Sequence, residues 1–362
     1  MKHTSDIIAV QVVERIRETP LTISLVLQPL DQTVRYRAGQ FLTLIFDEGT
    51  LGPKPVRRSY SFSTTPGVDP QLTISVKKKP NGLVSRYLHH QVEIGDVLHA
   101  LPPAGQFTLP PSDSPRDIFL IGGGSGITPL FSILKEVLYN ESEARVVLLF
   151  ANRNEDHIIY REALRTLNRA YADRFALIHL LSNPQDDLLH IRQMLDPAEV
   201  YWGRLSNQMV EKLVDDYMVH DPLAAHFFLC GPRGLMVKAT NALGFKGFGA
   251  DQVHSENFVI RKAQRPPDNH FPRARVHLER RGLSYDFFVE PGQTILEAAE
   301  QAGLYLPFSC RVGTCATCSG HCTQGQAIMY TQDGRMDTEA TKGLVFSCVA
   351  YPQTDQLRII ME

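Results

Sequence analysis

The chain has 362 residues, more than a single hydrophobic core usually serves, so two or three domains are expected. Hydrophobic residues make up 43% and charged residues 21%, and the formal net charge is −2, which gives no electrostatic reason to expect nucleic acid or an anionic membrane as partner. No apolar run approaches the roughly 20 residues of a membrane span, and the first residues lack the apolar stretch of a secretory leader. The cysteines are not spread as a disulfide framework, and a reducing cytoplasm is the expected compartment.

From Ile7 to about Leu109 the residues read as short strands. Leu72 to Lys77 alternates apolar and polar, as a half-buried strand does, and Leu21 to Leu27 and Phe41 to Phe46 are rich in strand formers. A helical segment, Val84 to Gln91, interrupts them, and an antiparallel β-barrel or sandwich is the expected architecture. His89 and His90 are expected at that helix's surface. Pro110, Pro111 and Pro115 mark a linker. After it the rhythm becomes strand then helix. Strands are expected at Ile118–Ile121, Arg145–Phe150, Phe175–Leu180 and His226–Cys230, with helices at Pro129–Tyr139 and Tyr160–Tyr171. Such alternation indicates a parallel α/β sheet. A second linker runs from about Arg261 to Pro272. The remainder is a small α+β unit whose helix carries a capping box, Thr294 with Glu297, and a C-terminal Gly303. The expected domains are 1–112, 116–260 and 273–362.

Cys310, Cys315 and Cys318, followed at a distance by Cys348, have the C-x4-C-x2-C…C spacing of plant-type [2Fe–2S] centres. Four thiolates must converge on two irons, three from one loop and the fourth from elsewhere. Small residues such as Gly313 and Ala316 let backbone amides approach the sulfurs. A structural zinc site usually takes two short ligand pairs, and Cys348 stands alone. Cys322 is a bystander, because the ligand count is complete without it.

Arg58-Ser59-Tyr60-Ser61 lies at a strand end, where Arg58 can pair with a flavin pyrophosphate and Tyr60 can stack on its ring system. The bland reading is a surface strand with one buried tyrosine. Gly82-Leu83-Val84-Ser85 opens a helix, and helix N-termini bind phosphate through free amides. Together the two features fit FAD in preference to FMN. Gly122-Gly123-Gly124-Ser125-Gly126-Ile127-Thr128-Pro129 follows a strand and opens a helix, the seat of a dinucleotide pyrophosphate, although its spacing is not G-x-G-x-x-G. Cys230-Gly231-Pro232 ends a later strand of the same domain. Cys230 reads either as a small buried hydrophobe or as a thiol beside a nicotinamide. After the second nucleotide-domain strand, Arg153 favours the 2′-phosphate of NADPH over NADH. Glu155 and Asp156 oppose that choice, and Arg153 could instead pair with Glu155.

In this order, R-S-Y-S, G-L-V-S, G-G-G-S-G-I-T-P, C-G-P and the cysteine loop, the chain resembles the ferredoxin–NADP reductase superfamily with a plant-type ferredoxin domain fused at the C-terminus. It is most similar to the reductase components of multicomponent oxygenases, such as the phenylacetyl-CoA epoxidase and ketosteroid hydroxylase reductases. Ala151-Asn152-Arg153 with Tyr160-Arg161-Glu162-Ala163-Leu164 is similar to the epoxidase-reductase pattern. The resemblance implies a FAD-binding barrel, a nicotinamide-binding α/β domain and a β-grasp ferredoxin domain. It implies that Arg58, Tyr60 and Ser61 contact the flavin and that Gly82 to Ser85 hold its pyrophosphate. Gly124, Gly126 and Thr128 then face the nicotinamide cofactor, with Cys230 near the hydride path. Glu256 and Phe258 match the family's E-x-F, whose aromatic lies over the flavin's other face. The implied activity is an NAD(P)H-dependent flavin and iron–sulfur reductase serving a protein acceptor, an oxygenase or hydroxylase component. A redox-responsive flavin and iron–sulfur binding protein and a stand-alone reductase acting on a small molecule are the alternatives.

Overall fold

The computed structural model describes residues 7–361 apart from 31–32, 54, 113, 259–265, 267–270, 309–310, 314–316, 332–333 and 339–340. Chain contacts divide it into two compact units. One comprises Ile7–Pro103 and Phe107–Glu256, the other Asn257–Glu362 with Ala104–Gln106.

The larger unit begins with β1 (Ile8–Thr19), β2 (Thr22–Pro29), β3 (Phe41–Phe46), β4 (Val56–Ser61), β5 (Leu72–Lys77), α1 (Leu83–His90) and β6 (Val97–Ala104). The strands form one sheet in the order β4-β3-β6-β1-β2-β5. An antiparallel bridge from Phe62, just after β4, to Ile74 of β5 joins the two ends and closes the barrel. The barrel interior is an apolar cluster that includes Val10, Leu25, Leu42, Phe62, Ile74 and Leu88. Alternation along β5 puts Leu72, Ile74 and Val76 inward, as the period-2 pattern requires.

The described residues of the linker, 109–112 and 114–115, form no strand or helix. Arg116, 1% exposed, anchors their far end. It makes a bidentate pair with Glu141 at 2.7 and 3.0 Å and donates to the Pro110 carbonyl at 2.9 Å.

Beyond it come β7 (Asp117–Gly123), α2 (Ile127–Asn140), β8 (Arg145–Asn152), α3 (Arg161–Ala170), β9 (Phe175–Leu181), α4 (Leu188–Leu195), β10 (Glu199–Trp202), α5 (Asn207–Tyr217), β11 (His226–Cys230), α6 (Arg233–Phe245) and β12 (Val253–Glu256). All five strand pairings are parallel, in the order β10-β9-β8-β7-β11-β12. Two apolar clusters cover the two faces of this sheet. The order reverses between β7 and β11. In open parallel sheets that reversal leaves a crevice at the strand C-termini, where ligands bind.

The smaller unit contains β13 (Ala274–Arg280), β14 (Leu283–Val289), α7 (Ile295–Gln301), β15 (Ser319–Gln324), β16 (Ala327–Thr331), β17 (Gly334–Asp337), β18 (Leu344–Phe346), β19 (Ala350–Pro352) and β20 (Gln356–Met361). A β13–β14 hairpin, with β20 parallel to β13 and α7 packed against the sheet, gives the β-grasp arrangement. The capping box forms as expected, with Thr294 Oγ1 accepting from Glu297 N at 3.1 Å and Glu297 Oε2 accepting from Thr294 N at 3.0 Å. Gly303 follows in the left-handed region at φ 77°.

Candidate functional site

Both glycine-bearing turns of the nucleotide domain lie at the crevice. Gly122 and Gly123 end β7, and Gly124 to Gly126 make a single 3-10 turn that leads into α2. Cys230 ends the neighbouring strand β11, in register with Gly122. The fit is tight enough to exclude side chains. A Cβ on Gly126 would stand 2.0 Å from the Cys230 carbonyl oxygen, and one on Gly231 would stand 2.9 Å from Gly123 N. A Cβ on Gly123 would meet Pro232 Cδ at 2.8 Å. The glycines thus bring two main-chain segments together and leave amides, not side chains, facing the crevice. That is the cradle a dinucleotide pyrophosphate requires.

Lys77, at the end of β5, approaches the same turn from the barrel. A Cβ on Gly124 would lie 3.3 Å from its Nζ. Burial and the like charge of Lys79 lower its pKa. Sequence reading did not single it out. The signal available was a cation at the exit of a strand, with nothing to pair it to a turn 47 residues onward, the separation of Lys77 and Gly124.

Three of the expected site side chains also converge. Ser61 ends β4, and its Oγ donates to Glu256 Oε2 at 3.1 Å. Glu256 ends β12 and is in register with Cys230. All three are buried, with Cys230 at 0% exposed. Burial pushes the Cys230 thiol well up, and the Glu256 charge adds to the shift, so the thiol holds its proton. Serine, thiol and carboxylate from three strand ends thus meet where the crevice reaches the barrel. Phe258 is 37% exposed and belongs to the other unit.

On β4, Arg58 and Tyr60 share one face, while Ser59 and Ser61 share the other. Thr43 Oγ1 and Ser59 Oγ are 2.9 Å apart across the β3–β4 ladder. Arg58 is exposed, and its Nη1 donates to its neighbour's carbonyl, Arg57 O, at 2.7 Å. Burial raises the Tyr60 phenol, which packs beside the barrel core. Gly82 caps α1 without a side-chain hydrogen bond, and the first turn carries no acid. A Cβ on Gly82 would lie 2.3 Å from Ser85 Oγ, so the serine hydroxyl would have to swing away to admit one. This helix start opens into a pocket of about 900 Å³ bordered by Gly49 to Gly52, Gly82, Leu83, Arg86 and His90. Its size and its open amides suit a flavin dinucleotide. Val84 faces inward and is buried. His89, expected at the surface, is half-buried instead, with Nε2 2.8 Å from the Val76 carbonyl.

In the smaller unit Cys318 and Cys348 are buried with sulfurs 3.2 Å apart. Cys310 and Cys315 lie outside the described residues. Gly313 holds φ 75°, and a Cβ there would meet Thr331 and Val349 side-chain carbons at 2.9 Å. Ser347 Oγ is buried beside Cys348 without a hydrogen-bond partner among the described residues. Two cysteine sulfurs in contact, a loop shaped by positive φ and an unsatisfied hydroxyl next to a ligand position fit a sulfur-rich cluster, whose sulfurs accept hydrogen bonds. Cys322 is a free thiol whose Sγ contacts the Gln324 carbonyl at 3.2 Å.

Arg153 follows β8 and is exposed. Glu155, its supposed partner, is 4% exposed and turned inward, accepting from Gln185 N at 2.9 Å and Asp186 N at 2.9 Å. The Arg153–Glu155 pair considered from sequence does not form. Two backbone amides of the 183–186 turn satisfy that carboxylate better than one exposed guanidinium would.

Known families match all three parts. The oxidoreductase FAD-binding domain matches residues 8–109, the oxidoreductase NAD-binding domain residues 120–241, and the 2Fe-2S iron-sulfur cluster binding domain residues 279–353. The ferredoxin reductase component of 3-ketosteroid-9-alpha-monooxygenase from Mycolicibacterium smegmatis is 30% identical over 371 residues, covering 98% of this chain and 97% of the relative. The chain belongs to the family of flavin and iron–sulfur oxygenase reductases. The glycine betaine monooxygenase reductase subunit from Pseudomonas aeruginosa is 29% identical, covering 88% of the reductase and 86% of that protein. A 1,2-phenylacetyl-CoA epoxidase chain from Escherichia coli K12 is 29% identical, covering 91% of the reductase and 90% of that protein. Phthalate dioxygenase reductase shares the fold of the reductase over the whole of both chains, with a TM-score of 0.58 at 20% identity. The reductase is an oxidoreductase that uses FAD, a pyridine nucleotide and a [2Fe–2S] cluster. No described helix is long and apolar enough to cross a membrane.

Proposed function

We propose that the reductase delivers electrons from NADPH to a separate oxygenase or hydroxylase protein in the cytoplasm. When bound, flavin and cluster together convert a two-electron hydride donor into a source of single electrons. The residues of the chain supply position. Gly124, Gly126, Thr128, Gly231 and Pro232 shape the dinucleotide crevice. Ser61, Cys230 and Glu256 close its inner end with groups that stay out of bulk water. Arg58, Ser59, Tyr60 and the Gly82–Ser85 turn hold the flavin. Cys310, Cys315, Cys318 and Cys348 hold the cluster.

The observation that carries the reading is the full-length similarity to a monooxygenase ferredoxin reductase component, spanning all three domains. Arg153, unpaired with Glu155, supports NADPH over NADH.

The test uses Cys348→Ser. NADPH-driven reduction of ferricyanide, which can draw electrons from flavin, should persist. Reduction of cytochrome c, standing in for a one-electron protein acceptor, should fall at least tenfold with the cluster absorbance. Undiminished cytochrome c reduction after cluster loss would remove the cluster from the route. Slow NADPH reduction of the intact protein with every acceptor would favour a redox-responsive binding role.

A further inference from the structure

Helix α3 starts in a strained way. Its N-cap is Tyr160, a bulky residue in the left-handed region at φ 58° and only 7% exposed. For a non-glycine residue that conformation costs roughly 1–2 kcal/mol, and it persists only where the surroundings over-determine it.

The surroundings are identifiable. The Tyr160 ring stacks on Phe131 of α2, with centroids 4.5 Å apart and planes 22° apart. Its phenol is hydrogen-bonded to Ser75 Oγ of barrel strand β5. Ser75 Oγ lies 2.7 Å from Ser24 Oγ of β2, and Ser24 Oγ donates to Glu18 Oε1 of β1 at 2.7 Å. Ser63, two residues beyond β4, and Thr128, at the head of α2, lie close enough to act on the same phenol, while their own hydroxyls donate to Thr73 O at 3.3 Å and Ser125 O at 3.0 Å. Burial holds the phenol pKa up at about 12, so the hydroxyl keeps its proton throughout the ordinary pH range.

The phenol therefore stands where three elements meet: a barrel strand, the segment leaving the R-S-Y-S strand, and the first turn of the helix that the glycine-rich turn opens. The same face of α2 is fastened to the barrel further along. Ser132 Oγ donates to Thr64 O at 2.6 Å, Thr65 Oγ1 donates to Ser132 O at 2.7 Å, and Lys135 pairs with Asp69. Thr128, Phe131, Ser132 and Lys135 are spaced i, i+3, i+4 and i+7, one stripe of the helix. Together they fix the angle at which α2, and the turn before it, stands against the barrel.

We propose that Tyr160 is a positioning residue for hydride transfer, its hydroxyl locking the nicotinamide-facing turn in register with the flavin-binding barrel. The proposal rests on the assignment of Gly124 to Thr128 to the nicotinamide cofactor. A displacement of about 1 Å between reacting groups can cost two orders of magnitude in rate, so partial loosening has a measurable effect.

The test is Tyr160→Phe, which keeps the ring and its stack and removes one oxygen. The limiting rate of flavin reduction by NADPH in stopped flow should fall roughly tenfold. The nicotinamide–flavin charge-transfer absorbance should weaken in parallel. The nucleotide dissociation constant, flavin content and cluster absorbance should stay within about twofold, because no binding group is removed. Ser75→Ala, which removes the other end of the bond, should reproduce the rate loss, and the double variant should be no slower than either single one. If Tyr160→Phe does not fold, Ser75→Ala decides alone. A lowered Tm with an unchanged limiting rate and unchanged charge-transfer band would overturn the proposal, leaving a purely structural bond. So would a weakened nucleotide affinity with an unchanged limiting rate. Failure of the underlying site assignment shows separately, as indifference of nucleotide-driven reduction to Gly126→Ala.

Discussion

Gly126→Ala probes the crevice with a single methyl group. Gly126 has ordinary helical dihedrals, φ −64° and ψ −14°, so alanine meets no backbone strain there and the effect is steric. The new Cβ would lie 2.0 Å from the Cys230 carbonyl oxygen, 2.4 Å from its carbonyl carbon and 2.9 Å from Gly231 N. Carbon contacts relax near 3.5 Å, so the two segments must separate by roughly 1.5 Å, the difference from 2.0 Å. Both are main chain, and no flexible side chain can yield instead. A misplacement of about 1 Å costs about 100-fold in rate, equivalent to about 2.7 kcal/mol of barrier. Overpacking should also lower stability by about 1–3 kcal/mol. The assay is single-turnover flavin reduction by NADPH, with dithionite reduction of the cluster as a control. Gly234→Ala, at a helical position where a Cβ meets nothing within 4 Å, should leave the rate unchanged. A Gly126→Ala protein that reduces its flavin within threefold of wild type, at unchanged Tm, would refute the account of why glycine occupies this turn.

Lys77→Met should raise KM for the nucleotide about tenfold with little change in kcat, as expected for loss of a cationic contact worth roughly 1.5 kcal/mol in ground and transition states alike; an unchanged KM removes it from the site. The Cys230 thiol should resist iodoacetamide at pH 8 in the folded protein and react on unfolding. Because the folded state holds that proton more tightly, its stabilising contribution is complete below the ordinary thiol pKa of about 8.5 and is lost as pH rises from there toward the folded value. Urea titrations from pH 8 to 10 should therefore show a steeper loss for wild type than for Cys230→Ala, and parallel curves would contradict the assigned burial effect. Arg153→Ala should lose about 1.5–3 kcal/mol in kcat/KM with NADPH and little with NADH; equal losses would exclude a 2′-phosphate role. Flavin released by heat should chromatograph as FAD, and stoichiometric FMN would contradict the assignment of the α1 turn.

Local patterns disclosed the strongest elements. Phe41–Phe46, Leu72–Lys77 and His226–Cys230 were legible to the residue, because each is a short run of strand formers between clear breaks. β10 and β12 were not, since four residues at the edges of a sheet carry too little periodicity. β6 hid behind Pro102 and Pro103, which usually argue against a strand. Helices α4, α5 and α6 lie between buried strands and carry no motif of their own to announce them. At the site, motifs announced which residues bear chemistry but not which of them meet. Ser61, Cys230 and Glu256 stand on three strands far apart in sequence, and only sheet order joins them. The inward turn of Glu155 was illegible for the same reason, as its partners are amides 30 residues away. Tyr160 read as an ordinary helix start, because dihedral angles leave no mark on residue type when packing imposes them.

The buried Arg116 bears on how such proteins can be recombined. Its guanidinium holds a carbonyl on the barrel side of the linker and a carboxylate at the far end of α2 at once. A chimera spliced within 111–115 would keep the cation but present it with a foreign carbonyl, and one spliced after Arg116 would leave Glu141 facing a vacated pocket. Breaking a fully buried pair by removing one partner typically costs about 3–5 kcal/mol, and this pair, with Glu141 partly exposed, should cost less but still a sizeable share of a domain's stability. Grafting experiments should therefore exchange barrel and nucleotide domain as one cassette, with the seam placed elsewhere in the chain.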